Sequence, residues 1–198
     1  NYSEVDMALD GGFGKINSNK NILLIPFTCE KVTAVLHQNG SDFWIISPED
    51  NTNIIHSFHL TSAGINMTPT LTVAQSNVEG VGYLKGSPDG KKIILVNANF
   101  NNFELYNFDN ATGDLTFQLQ GLGQGGPYGA EFSPNSNLLY ISEWPGGGVS
   151  QYNLLAGSNQ DIINSELSLG FGGGTGGALQ LAPDNKIYQA VSGVTTLP

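Results

Sequence analysis

Basic residues are scarce in this sequence. Seven of them stand against 17 acidic ones, for a formal net charge of −10. A surface that tracks phosphates needs clustered Lys and Arg, so nucleic acid is not an expected partner, and anionic membrane surfaces are disfavoured on the same ground. Cysteine is nearly absent. Cys29 stands alone, so no intrachain disulfide can form, and its thiol is expected to serve as a small buried hydrophobe beside Phe27. No apolar run approaches the roughly 20 residues that cross a bilayer, so no membrane insertion is expected, and any export signal is expected to lie outside the chain. Charge of either sign is thin at 12% of residues, against 39% apolar residues and 26 glycines. The polar surface must then come from Asn, Ser, Thr and Gln, which is the profile of a turn-rich β protein.

What the sequence does hold is a repeat. Residues 87–115 contain a turn (Ser87, Pro88, Asp89, Gly90, Lys91), the apolar run Ile93, Ile94, Leu95 and Val96, an Asn-rich gap, an alternating segment over 103–109 and a second turn ending at Gly113. The unit returns downstream: Ser87 and Ser133 stand 46 residues apart, and Ser133 and Ala182 stand 49 apart. An Asn39-Gly40 turn between apolar runs marks a related unit upstream. Gly and Pro interrupt the chain too often for long helices. Repeats of about 40 to 50 residues with four short strands each point to propeller blades.

The expected fold is therefore all-β, a β-propeller of four-stranded antiparallel blades. The boundaries are a partial blade over 1–28, blades over 31–73, 81–119 and 127–169, and a second partial blade over 177–198. Three complete blades fall short of the usual closure range of about 4 to 8. Missing blades or a partner chain are thus expected to complete a larger propeller. Within the units, 21–27 is expected as an apolar strand and 162–169 as a fourth strand.

Ser87-Pro-Asp-Gly-Lys91, Asn102-Phe-Glu-Leu-Tyr-Asn-Phe-Asp-Asn-Ala-Thr-Gly113 and Tyr128-Gly-Ala-Glu-Phe-Ser-Pro134 resemble blades of large secreted Bacteroidetes proteins. In that family a propeller precedes PKD-type modules and a sorting domain for type IX secretion and gliding motility. The Ser-Pro-Asp-Gly turn is similar, more distantly, to that of lactonase-like seven-bladed propellers. The first resemblance implies a secreted or cell-surface location and a non-catalytic binding or scaffold role; the second implies a lactonase-like or lyase-like enzyme. A structural spacer in a surface adhesin or filament is a third alternative.

Chemistry is sparse. The connections 48–53, 97–102, 143–148, 74–80, 121–127 and 170–176 are expected on one face, which can contact a protein or a carbohydrate. Tyr83, Phe100, Tyr128, Glu131, Glu143, Trp144 and Phe171 are the candidate ligand-binding residues there, with packing of Phe100 and Trp144 against neighbouring blades as the alternative. Glu131 is the residue a lactonase-like site would use as base or metal ligand, if it faced the axis. His56 and His59 stand at i and i+3 of one strand, on opposite faces, and His37 belongs to another, which argues against a three-histidine metal site. Asp89, Asp109 and Asp184 are expected to cap their own turns. The glycine run 172–177 lacks the Lys and helix of a phosphate loop. No catalytic residue, metal or cofactor is expected.

Overall fold

The computed structural model describes residues 1–123, 125–171 and 175–192. The chain opens with a two-stranded ribbon, β1 (Val5–Asp6) and β2 (Lys15–Ile16). The first blade pairs β3 (Thr33–Leu36), β4 (Phe43–Pro48) and β5 (Thr52–Thr61); a short β6 (Gly64–Ile65) and then β7 (Thr70–Val78) both fold back on β5. The second is β8 (Leu84–Gly86), β9 (Lys92–Asn97), β10 (Asn102–Asp109) and β11 (Asp114–Leu122). The third is β12 (Pro127–Phe132), β13 (Leu138–Glu143), β14 (Gly148–Asn153) and β15 (Leu167–Phe171), with a helix α1 (Asn159–Asn164) before its last strand. A final hairpin joins β16 (Thr175–Leu181) to β17 (Ile187–Ser192). Every pairing is antiparallel, and the three blades run in sequence order from their inner strands β3, β8 and β12 outward.

The repeat is built by its turn. Ser87 Oγ accepts the N–H groups of Lys91 and Lys92 and donates to Asp89 Oδ1 at 2.6 Å, while Gly90 takes φ 69°. Ser133 Oγ does the same for Leu138 N–H and Asn135 Oδ1, and there Ser136 takes the positive φ. Local side-chain acceptors thus replace the missing sheet partners at the same point of both units.

Alternation then makes two cores from one strand. Ile93 and Leu95 of β9 join Val35, Trp44 and Ile46 of the first blade, and Ile94 and Val96 face Phe132, Leu139 and Ile141 of the third. Trp44 ties the first pair of blades: its Nε1 donates to Asn110 O at 2.9 Å, and its ring covers Gly113, where a Cβ would lie 2.6 Å from the indole. A side chain at Gly113, which also takes φ 81°, would push the blades apart.

A carboxylate lies inside the same interface. β7 is bulged, with Thr52 opposite Val78 but Ile54 opposite Val73, so 74–77 leave the ladder. The freed N–H groups of Gln75 and Ser76 donate to fully buried Glu104 of the second blade at 3.1 and 3.0 Å, and the Ser76 and Tyr106 hydroxyls donate to it as well. This bulge also carries β7 past 73, where the sequence pattern placed its end.

Three local expectations are corrected. Residues 21–27 form no strand: Asn21 takes φ 55°, and isolated bridges, Ile22 to Tyr2 within the stretch and Thr28 to Glu49 just after it, stand in place of a ladder. Ile162 belongs to α1 rather than to a strand, because Ser158 and Asp161 form a reciprocal capping box and Ile162 seals the second core from a helical turn. Phe27 is 73% exposed, while Cys29 is partly buried against the first core.

Glu104→Ala is expected to lower the unfolding free energy by about 3 kcal/mol in urea titrations, since it strands several buried donors at once. A change below about 0.5 kcal/mol would show that the carboxylate carries no structural role. A second expectation concerns alkali. Burial first, and then Glu104 and Glu166 respectively, push the Tyr106 and Tyr152 hydroxyls above the usual tyrosine range. The folded chain then holds protons that the unfolded chain releases near pH 10, so stability falls as pH rises above about 10 and is unaffected by these groups below it. Urea midpoints measured at pH 9 and 11 should fall, and Tyr106→Phe should flatten that fall.

Candidate functional site

The connections between second and third strands and those between blades share one face, because they hydrogen-bond to each other. Asp50 Oδ1 accepts Gly80 N–H at 3.1 Å, Asn101 Oδ1 accepts Gly126 N–H at 3.0 Å, and Trp144 N–H reaches Gly126 O at 2.8 Å. Lys31, 1% exposed, pins the first inter-blade connection: its ammonium donates to the carbonyls of Glu79, Gly80 and Val81 at 2.8, 3.1 and 3.1 Å. Burial pulls the Lys31 pKa below the ordinary lysine value, against the pull of nearby Cys29 and acidic groups. Gly82 follows, at φ 132°, where a Cβ would meet Val96 O at 2.1 Å, so only glycine lets the chain enter β8 here.

Where the inner strands meet, a groove of about 480 Å³ is lined by Glu30, Thr33, Tyr83, Lys85 and Tyr128 among others. The Tyr83 and Tyr128 rings meet edge to face with centroids 5.7 Å apart. Burial, Tyr128 and Glu131, in that order, raise the Tyr83 phenol above its ordinary value, so the Tyr83 hydroxyl is neutral at physiological pH.

Glu131 lies beside this groove but is closed off. Its side chain is 3% exposed, and Oε2 takes the Lys85 ammonium at 2.8 Å and Leu181 N–H at 2.8 Å, while Oε1 accepts Phe132 N–H at 3.0 Å. Lys85 also donates to Gln180 Oε1 at 3.0 Å. The three inner strands β8, β12 and β16 are thereby tied through one carboxylate. A base must offer a free lone pair to substrate, and this one is occupied by three donors.

The other candidate residues lie apart. Phe100 and Trp144 sit on the second-to-third-strand turns, 42% and 52% exposed, so neither is packed away between blades. Glu143 ends β13, with its Oε2 near Gly125 and Gly148. Phe171 ends β15; its side chain, like residues 172–174 of the glycine run, lies outside the described residues. Asp89, Asp109 and Asp184 each accept a turn N–H, from Lys91, Ala111 and Lys186.

A larger hollow, about 820 Å³, separates the N-terminal segment from the outer face of the first blade. Its walls include Ile45, Phe58 and Leu60, side chains of the kind that pack blade on blade, together with Glu4, Cys29, Glu30 and Ser47. The chemistry that sequence reasoning missed sits elsewhere on the first blade, where His37, Asp42 and His59 come together. Only cross-strand register reveals it: His59 lies opposite Trp44, and Val35 opposite Trp44 on the other side.

No family model matches the chain, and no curated protein does. Solved structures do. A candidate 6-phosphogluconolactonase from Bacteroides uniformis is similar over 92% of this chain and 55% of its own, with TM-score 0.64 and 15% identity. Another from Bacteroides fragilis is similar over 69% of this chain and 37% of its own, with TM-score 0.52 and 16% identity. The β-propeller domain of Cps50 (Swd1) from Myceliophteria thermophila is similar over 77% and 43%, with TM-score 0.53 and 9% identity. The fold is that of β-propeller blades, and the chain spans about half the length of the first of these structures.

Lys85→Met is expected to cost about 2 kcal/mol of stability by leaving the buried Glu131 carboxylate without its cation. The double variant with Glu131→Gln should recover at least about 1 kcal/mol of that loss. Strict additivity in this double-mutant cycle would show that the pair is not coupled.

Proposed function

We propose that this chain is a non-catalytic binding module of a secreted or cell-surface protein, and that it takes a glycan or a protein segment on the face where its inner strands meet. The observation that carries this reading is the Tyr83–Tyr128 pair over the axial groove, next to a carboxylate already consumed by Lys85. Two half-buried rings with free hydroxyl edges suit a sugar ring or an aromatic side chain, where the face stacks and the rim hydrogen-bonds. The net charge of −10 favours neutral or cationic ligands over phosphorylated ones.

Lactone hydrolysis is the second reading. Blade arrangement speaks for it, through the likeness to the two Bacteroides structures. Against it stands the chemistry of the groove: Glu131 is buried with both carboxylate oxygens already hydrogen-bonded, and His56 and His59 lie on β5, the third strand of the first blade.

The test is calorimetric titration of neutral oligosaccharides and of aromatic-rich peptides. Tyr83→Ala and Tyr128→Ala are each expected to weaken binding by about 10-fold, the loss of one stacking contact, and Phe100→Ala to leave it unchanged. Hydrolysis of a sugar lactone above the buffer rate, abolished by Glu131→Gln, would overturn the non-catalytic reading.

A further inference from the structure

The first blade carries a cluster that the proposed binding face does not use. His37 follows β3, Asp42 precedes β4 and His59 lies late in β5, three positions far apart in sequence. Register puts them on one face. His37 stands two residues beyond Val35, Asp42 two before Trp44, and His59 directly opposite Trp44, while Val35 and Trp44 are themselves paired. The result is a small half-buried cup with an indole for its floor. The His37 and His59 rings stack with centroids 4.7 Å apart, and Trp44 stacks on His59 at 4.8 Å.

From this geometry we infer that His37, Asp42 and His59 form a binding site for a divalent transition-metal ion of the zinc or copper type. One ligand atom from each of the three lies within 4.8 Å of the others. Ligands about 2.0 to 2.1 Å from a tetrahedral ion stand roughly 3.3 Å apart, so modest side-chain rotation closes the set. His59 Nε2 is enclosed and makes no hydrogen bond, although Asp42 Oδ2 lies 3.3 Å away. An enclosed imidazole nitrogen facing a carboxylate off line is a poor hydrogen-bond arrangement and a reasonable metal-ligand one.

Two imidazoles and one carboxylate select borderline ions over calcium or magnesium, which want more oxygens. Supporting groups already hold the ligands. Asn39 Nδ2 donates to Asp42 Oδ2 at 2.7 Å, and Asn39 N–H donates to His37 Nδ1 at 3.0 Å. An ion taken by His37 Nδ1 displaces that second bond, which makes the affinity modest. A fourth position is left for solvent. The site would clamp the β3–β4 turn to β5 at the point where Trp44 reaches the next blade.

Trp44 makes the test local. The full chain carrying Trp144→Phe keeps Trp44 as its only indole. Copper(II) titrated at neutral pH is expected to quench Trp44 fluorescence along a single-site curve that saturates below about 1 mM, and excess zinc(II) to reverse the quench. His59→Gln should raise the half-quenching concentration by about 10-fold or more, His37→Gln likewise, and His56→Gln should change nothing. His37 lies in a turn, so its variant keeps the test valid should His59→Gln fail to fold by circular dichroism. A quench that does not saturate below about 1 mM, that survives His37→Gln, or that is lost in His56→Gln overturns the assignment.

Discussion

Ile93, Ile94, Leu95 and Val96 alternate between two cores, and everything else in the structure depends on that double duty. A four-stranded sheet with apolar side chains on both faces has no stable existence by itself; each face needs a neighbour. The second blade has both, and these four side chains are fully buried. The first and third blades each give one face to it. The β16–β17 hairpin packs against β12 and β13 of the third blade, and the N-terminal segment borders the hollow beside the first.

Within interfaces so apolar, the few charges are used as connectors. Glu104 gathers backbone and hydroxyl donors from the preceding blade, Glu131 gathers a lysine and a backbone N–H from the blades on either side, and Lys31 gathers three carbonyls of one connection. Each is a charged group serving several partners at once, which satisfies many polar atoms with little charge. A chain with 12% charged residues has few to spare for its surface, and asparagine supplies the exposed turns. The same economy leaves the axial groove lined by tyrosines.

Much of this was legible in the residues. The spacing of the serine-led turns, the apolar runs after them and the Asn39-Gly40 hairpin identify blades without any coordinates, because turn chemistry and side-chain alternation are local. Tyr83 and Tyr128 are candidates from the sequence as aromatic residues expected at the connecting face. What stayed hidden is what depends on pairing across strands or blades. Alternation alone cannot say that Glu131 turns to Lys85, nor that the bulge after Val73 aims two amides at Glu104. The three histidines by themselves make no ligand set, and the carboxylate that completes a different one, Asp42, joins His37 and His59 only through the β3–β4 and β4–β5 registers. The helix α1 was concealed by the apolar pair Ile162 and Ile163, which reads as strand until Ser158 and Asp161 are recognised as a cap.

Neighbouring blades are fastened at both ends of their shared interface. On one side Lys31 holds the connection that leads into the second blade; on the other, Asn110 accepts Trp44 Nε1 and Gln38 N–H, and Ser136 Oγ accepts Asp89 N–H from the blade before it. Two fastenings a blade's length apart fix an angle as well as a distance. Curvature is then a property of each adjacent pair, written in side chains that touch only the next unit. The number of such units that closes a circle follows from that angle, in the way the taper of a single voussoir decides the span of an arch.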